Sequence, residues 1–242
     1  MGHPDTKMIK YHGVLFDLDG TLIDTAEDFI LCLNDLRSEY GLSPLPANEI
    51  RKVVSDGARA MIKLAFNIEE SDRNFEERKL QFLDLYLNNI ARKSRLFSGL
   101  ECTINWCEAN AIPWGIVTNK PRLYSEALLR ALDLHTRINT LVCPDDVTNT
   151  KPDPEPLLKA CDEINISTNQ CLYVGDHARD IEAGKRANMP TIAAAYGYVH
   201  HSDEAQSWQA DWCVTTSDEL NTLLQTILTP QSGNSFPQAA KF

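Results

Sequence analysis

Two carboxylates, Asp17 and Asp19, stand one residue apart directly behind the short apolar run Val14-Leu15-Phe16 and ahead of Gly20-Thr21. Carboxylates this close repel each other unless a cation lies between them, and a hard, oxygen-ligated ion such as Mg²⁺ is the natural candidate. Gly20-Thr21 permits a tight turn that leaves backbone amides facing an anion. A second pair, Asp176 and Asp180 in Gly175-Asp176-His177-Ala178-Arg179-Asp180, opens a helix behind another apolar run and can complete the metal shell. Thr118 and Lys151 follow further apolar runs and offer a hydroxyl and a cation. Phosphoryl transfer needs an in-line nucleophile, a proton donor for the leaving alcohol and stabilisation of the equatorial oxygens. An aspartate can be the nucleophile, through a covalent aspartyl-phosphate. These residue types point to Mg²⁺-assisted phosphoryl transfer from a small phosphate ester.

Each of these residues falls where a strand pattern stops. Val14–Phe16, Trp114–Val117, Thr140–Cys143 and Cys171–Val174 read as buried strands, with further candidates at Thr191–Ala195 and Trp212–Val214. Helical periodicity fills the intervals at Leu100–Asn110, Leu123–Leu132, Glu155–Ile164 and Asp180–Asn188, and a last helix runs near Ser217–Leu228. Alternation of this kind predicts an α/β fold, a Rossmann-like doubly wound parallel sheet, with ligands beyond the carboxyl ends of the strands. The stretch from 25 to 96 interrupts the alternation: helical patterning at Ala26–Tyr40, Asn48–Ala65 and Phe75–Ala91, with no convincing strand, predicts an inserted α-helical cap after the first strand. The expected division is a catalytic core of residues 9–24 and 97–228, a cap of 25–96 and a disordered tail of 229–242.

Taken together, Asp17-Leu18-Asp19-Gly20-Thr21, Thr118-Asn119, Lys151-Pro152-Asp153-Pro154 and Gly175-Asp176 with Asp180 resemble, in order and spacing, the four motifs of haloacid dehalogenase-like hydrolases. The resemblance covers the chain from Val14 to Leu228. It implies that Asp17 is nucleophile and metal ligand, and that Asp19 protonates the leaving group, later activates water and lends its backbone carbonyl to the metal. It further implies that Thr118, Asn119 and Lys151 bind the phosphoryl group, Lys151 also pairing with Asp17, that Asp176 binds Mg²⁺, and that Asp180 stands behind the metal ligands. The helical insert resembles the cap of the phosphoglycolate phosphatase and phosphoglucomutase branch. Val54-Ser55-Asp56-Gly57-Ala58-Arg59-Ala60-Met61, Thr118-Asn119-Lys120-Pro121 and Tyr196-Gly197-Tyr198 look like the N-acetylmuramic acid 6-phosphate phosphatase group of bacterial peptidoglycan recycling. In that setting Arg59 is expected to reach over the phosphate site and read a substrate carboxylate, the group that muramic acid and glycolate share.

Bulk properties narrow the partners. Lys and Arg number 23 against 34 Asp and Glu, a formal charge of −11, so the overall field repels polyanions and nucleic acid is an unsuitable partner. A phosphorylated metabolite is repelled as well unless a metal and a few cations reverse the sign locally. Seven cysteines at irregular spacing, without a CxxC, read as reduced and mostly buried thiols of a cytoplasmic protein. No apolar run reaches membrane-spanning length and no signal peptide precedes the first strand. The chain is expected to be a monomer or homodimer.

Other readings compete at several positions. Asp180 can simply cap its helix, Arg59 can be a solvated helix arginine, and His177 and His200-His201 read as surface residues. Tyr196, Tyr198, Trp208 and Trp212 read as packing rather than as walls of a sugar pocket. At the level of function, a phosphomutase or phosphotransferase uses the same aspartyl-phosphate but passes it to a sugar. A metal-free dehalogenase needs no acid at Asp19, and a non-catalytic binding protein would have lost the motif residues.

Overall fold

A computed structural model of the protein describes residues 11–199 and 204–230. The chain opens with β1 (Gly13–Phe16) and passes through a two-residue strand, β2 (Ile23–Asp24), into four helices. These are α1 (Ala26–Glu39), α2 (Ala47–Lys52), α3 (Gly57–Phe66) and α4 (Phe75–Asn88), after which the chain returns through a second two-residue strand, β3 (Arg95–Leu96). Strand and helix then alternate: α5 (Leu100–Ala109), β4 (Trp114–Val117), α6 (Arg122–Ala131), β5 (Thr140–Val142), α7 (Glu155–Glu163), β6 (Cys171–Gly175), α8 (Ala178–Arg186), β7 (Thr191–Ala194), α9 (Glu204–Ser207), β8 (Trp212–Val214) and α10 (Ser217–Ile227).

Six strands form one parallel sheet in the order β5-β4-β1-β6-β7-β8, the α/β, Rossmann-like architecture expected from the alternation. Phe16 of β1 lies opposite Ile116 of β4 on one side and Val174 of β6 on the other. The winding direction reverses at β1, so a crevice opens beyond the carboxyl ends of β4, β1 and β6.

Because strand side chains alternate between faces, Val14, Phe16, Leu172 and Val174 pack with α5, α6 and α10, through Leu100, Ile104, Leu128, Leu129, Leu220 and Leu224. Leu15 and Tyr173 face the other way, onto Leu157, Ala160 and Cys161 of α7 and Ala183 of α8. Both faces are covered, which is why β1, β4 and β6 read as unbroken apolar runs.

The four inserted helices build a core of their own around Phe29, Leu33, Leu36, Ile62, Phe75 and Phe82, each no more than 7% exposed. One helix expected over 48–65 is in fact two. Gly57, at φ +81°, sits in the left-handed region where a helix cannot continue, and the chain turns between α2 and α3. The expectation of no strand between 25 and 96 is also corrected, since β3 pairs antiparallel with β2, Ile23 opposite Leu96.

Near the other end, the Thr229 N–H donates to the Tyr11 carbonyl at 2.8 Å and the Thr229 carbonyl accepts from His12 Nδ1 at 2.9 Å, so the core reaches one residue into the span expected to be tail. Residues 231–242 and His200-His201 lie outside the described residues. Among those described, no helix is long and apolar enough to cross a membrane. Five of the seven cysteines are buried as expected, whereas Cys102 and Cys213 are exposed.

Candidate active site

Asp17 is the first residue past β1, and its N–H still donates to the Val174 carbonyl at 2.8 Å, so the sheet's own ladder fixes its backbone. The chain then turns sharply. Gly20 adopts φ +83°, and a Cβ there would lie 2.2 Å from Asp176 Oδ2. Glycine is therefore required on two counts, by its backbone conformation and by the approach of a carboxylate. Thr118 is the first residue past β4, Asp176 the first past β6, and Lys151 comes from the loop after β5. The topology thus brings all four expected strand-end residues into one crevice.

Lys151 lies at the bottom, 3% exposed. Its Nζ donates to Asp17 Oδ1 at 2.9 Å, Asp180 Oδ1 at 2.7 Å, the Tyr173 hydroxyl at 2.8 Å and the Val117 carbonyl at 3.0 Å. Burial alone pulls an ammonium's pKa down, but Asp17 and Asp180 outweigh it and hold Lys151 above its ordinary value. Asp180 is fully buried; besides Lys151 and Tyr173 it accepts the His177 N–H at 3.1 Å on Oδ2. The same carboxylate therefore caps α8 and holds Lys151, so the capping and supporting roles coexist.

Asp176 is buried with Asp17 and Asp180 close by, and burial followed by those two charges pushes it up to about 8. Its oxygens accept from Thr21 Oγ1 at 3.0 Å, the Tyr198 N–H at 2.9 Å and Ser55 Oγ at 3.2 Å. The carboxylates of Asp17, Asp176 and Asp180 each offer an oxygen, all within 4.8 Å of one another. A cation with ligand distances near 2.1 Å bridges oxygens about 4 Å apart across its centre. Three acids facing a single lysine are short of positive charge, so the donor chemistry fits a small hard divalent ion. Asp19 contributes no carboxylate to this cluster.

The Asp19 carboxylate turns toward the helical insertion. Oδ1 accepts from Thr25 Oγ1 at 2.6 Å and from Lys120 Nζ at 3.0 Å, and Oδ2 accepts from Lys120 at 3.2 Å. Lys120 is buried, and burial lowers its pKa against the opposing pull of Asp19. Thr118 Oγ1 accepts the Lys120 N–H at 3.2 Å, which leaves its O–H proton to donate into the crevice.

Asn119, next in the chain, faces the Lys151 loop. Its side-chain amide donates to the Lys151 carbonyl at 2.9 Å and its side-chain oxygen accepts the Lys151 N–H at 3.2 Å. The side chain thus holds the Lys151 backbone, so a contact of Asn119 with a phosphoryl group falls to its backbone N–H. His177 is corrected: Nδ1 accepts the Arg179 N–H at 3.1 Å at the start of α8, and the half-buried ring lines the crevice rather than simply facing water.

The insertion roofs the crevice, enclosing a cleft of about 360 Å³. Phe29, Met61, Leu83 and Tyr86 give it an apolar wall, with Tyr124 from the core side. Arg59 and Lys79 also reach this wall. Arg59 is half exposed and ion-paired to Glu70 at 2.6 Å and Glu76 at 3.4 Å, so it meets the cleft as a partnered cation. Lys120, Lys151 and Arg179 bring further cations to the cleft, but each is paired with an aspartate, so a reversal of the local sign needs a bound cation as well.

The Tyr198 hydroxyl, buried where the insertion leaves the core, accepts the N–H groups of Thr25 at 2.6 Å and Ala26 at 2.9 Å and donates to Asp24 at 2.8 Å. Tyr196 donates to the Thr21 carbonyl at 2.9 Å, and Trp212 stacks edge-on with Tyr11. These aromatics pack, as expected. Lys120 and Ser55 are among the site residues that sequence reasoning did not single out; their one signal was a place inside the motif-like stretches.

Residues 14–194 match the profile of the haloacid dehalogenase-like hydrolase family. The chain is 41% identical over 222 residues to the N-acetylmuramic acid 6-phosphate phosphatase of Pseudomonas aeruginosa, covering 92% of this chain and 98% of that one. It is 40% identical over 208 residues to the phosphoglycolate phosphatase of Xanthomonas campestris pv. campestris, covering 86% and 93%. Its fold is similar to the crystal structure of a predicted phosphoglycolate phosphatase from Haemophilus somnus, with a TM-score of 0.79 and 24% identity over 89% of this chain and 98% of that one.

Proposed function

The chain belongs to the haloacid dehalogenase-like hydrolase family and is a phosphatase, and from that premise we propose that it hydrolyses N-acetylmuramic acid 6-phosphate, with Mg²⁺, through a phosphoryl group carried on Asp17. The observation that carries the reading is the placement of Asp17: one oxygen is tied to Lys151 at 2.9 Å, while its neighbours across the crevice are a hydroxyl, a carboxylate cluster and an acid–base candidate.

Asp17 attacks phosphorus with its other oxygen. Lys151 and the Thr118 hydroxyl bind phosphoryl oxygens and stabilise the charge that builds on them. Asp19 gives a proton to the leaving oxygen, then takes one from the water that releases phosphate from Asp17. Asp17, Asp176 and the Asp19 backbone carbonyl, with Asp180 behind them, would hold Mg²⁺, which would neutralise phosphate charge. The helical insertion acts as a cap that excludes water from the phosphorylated aspartate. Residues 25–96 form this cap, and residues 9–24 with 97–228 the catalytic core.

The choice of substrate rests on the cleft and on the relatives. A space of about 360 Å³ is generous for a two-carbon phosphoacid and suits a phosphorylated monosaccharide. The aromatic wall offers faces to a sugar ring, and Arg59 and Lys79 stand where a substrate carboxylate can displace their glutamate partners. Of the two relatives described, one is a phosphatase of this sugar phosphate.

The test is Mg²⁺-dependent phosphate release from N-acetylmuramic acid 6-phosphate and 2-phosphoglycolate side by side. A preference of ~100-fold in kcat/KM for the sugar, about 2.7 kcal/mol of transition-state binding, is expected. The reverse preference assigns the enzyme to phosphoglycolate, and consumption without phosphate release points to a phosphotransferase. Asp17→Asn should abolish turnover while leaving the fold; appreciable activity in that variant ends the nucleophile assignment.

A further inference from the structure

Lys120 is bound more tightly into the site than its surroundings in the sequence suggest. Its side chain is 7% exposed, and Nζ contacts both oxygens of Asp19, at 3.0 and 3.2 Å, and the Tyr86 hydroxyl at 2.8 Å. The ammonium also lies 4.6 Å from the ring centres of both Phe29 and Tyr86, which stack on each other at 4.1 Å. Its backbone is fixed from two sides: the N–H donates to Thr118 Oγ1 and the carbonyl accepts from Ser125 Oγ at 3.1 Å. Phe29 belongs to α1 and Tyr86 to α4, so the cage around the ammonium is completed by the insertion while the lysine comes from the core.

A lysine buried this deeply is costly unless a counter-charge is fixed beside it. Here the counter-charge is the Asp19 carboxylate, whose remaining side-chain partner is Thr25 Oγ1 at 2.6 Å. With both oxygens bonded to Nζ, the carboxylate is held in one orientation. Orientation matters greatly for a proton donor, since a displacement of about 1 Å can cost ~100-fold in rate.

We propose that Lys120, caged by Phe29 and Tyr86, is the positioning residue that aims the Asp19 carboxylate at the leaving oxygen. The inference rests on the acid–base role proposed above for Asp19. In the first half-reaction the ester P–O bond breaks, its electron pair goes to the leaving oxygen, and that oxygen takes the proton from Asp19. In the second, water loses a proton to Asp19 as its oxygen bonds phosphorus, and the Asp17–phosphorus bond breaks. Lys120 neither gives nor takes a proton in either step. Because its cage needs the insertion, proton transfer is aligned only when the insertion is seated on the core.

The test compares two esters, p-nitrophenyl phosphate, whose leaving group needs little protonation, and a hexose 6-phosphate, whose alkoxide needs it. Lys120→Met is expected to lower kcat by ~100-fold on the sugar ester and by less than ~10-fold on the nitrophenyl ester, and Lys120→Arg to recover part of the loss. Combined with Asp19→Asn, Lys120→Met should add nothing further, because it acts through the group already removed. Equal losses on the two esters, or a double variant worse than Asp19→Asn by the full Lys120→Met factor, overturn the inference. Full activity in Asp19→Asn overturns the acid–base reading itself, and the inference with it. Should Lys120→Met not fold, Tyr86→Phe removes one acceptor from Nζ and keeps both rings; a ~3- to 10-fold loss confined to the sugar ester is then expected, and no loss or an equal loss on both esters refutes it.

Discussion

Replacing Lys151 with Met tests whether the floor of the crevice is held by charge. The substitution removes the ammonium that bridges Asp17 at 2.9 Å and Asp180 at 2.7 Å and leaves Asp180, fully buried, with no cation. If the Asp180 carboxylate stays charged, an unpaired buried ion costs about 3 to 5 kcal/mol. If instead it takes up a proton at pH 7, doing so on a group whose free value is near 3.9 costs about 4 kcal/mol. The two routes agree, and at roughly 2 to 4 °C per kcal/mol the melting temperature should fall by about 8 to 16 °C.

The second route also fixes a sign. The folded variant then holds a proton that its unfolded chain releases, so its deficit grows with pH, from about 1.5 kcal/mol at pH 5 to about 4 kcal/mol at pH 7. Urea unfolding of both proteins at the two pH values, in a metal chelator, measures this difference. A deficit below about 1 kcal/mol at pH 7 would show that Lys151 is not the counter-charge of a buried cluster; an equal deficit at both pH values would exclude proton uptake.

Three further outcomes are expected. In chelator, the folded Asp176 at about 8 binds a proton that the unfolded chain has lost above about pH 4. This contribution to stability is therefore present at low pH and lost as pH rises toward 8, by at most ~1.4 kcal/mol per unit. Asp176→Asn should remove that slope, and a variant with an unchanged slope refutes the assignment. Gly20→Ala forces a side chain onto φ +83° and into Asp176 Oδ2 at 2.2 Å, so about 1 to 3 kcal/mol of stability should be lost. A Mg²⁺ titration of its activity should shift to higher concentration; wild-type behaviour in both would show that the turn is not tight. Arg59→Ala should raise KM for carboxylate-bearing substrates about tenfold with kcat retained. Its exposed pairs with Glu70 and Glu76 contribute little to folding, so an unchanged KM removes Arg59 from recognition.

The residues legible in the sequence are those whose position a strand dictates. Asp17, Thr118 and Asp176 each stand one residue past an apolar run, and in a parallel sheet that single fact places them at neighbouring strand ends. Lys120 escaped notice because its partners, Asp19 and Tyr86, lie 101 and 34 residues away, one of them in the inserted helices. That the Asn119 side chain holds the Lys151 backbone was not legible either, since one residue of loop decides what an amide meets. The break between α2 and α3 was hidden because buried Ile50, Val54, Met61 and Ile62 continue an apolar pattern across it, and only the backbone of Gly57 interrupts it. The ribbon of β2 and β3 is invisible for a simpler reason: two residues have no periodicity to read.

That ribbon bears on how such a molecule changes over evolutionary time. Ile23 and Asp24 lie opposite Leu96 and Arg95, so the seventy residues between them leave and rejoin the sheet-bearing core at one place. Paired residues in an antiparallel ribbon are only about 5 Å apart, a gap that a tight turn closes. Lineages could therefore lengthen, exchange or delete everything between Asp24 and Arg95 while the strand ends stayed in register. The reaction and the choice of what reacts are inherited as separable parts, and a chimera that joins this core to a foreign insertion at those four residues should retain the first while acquiring the second.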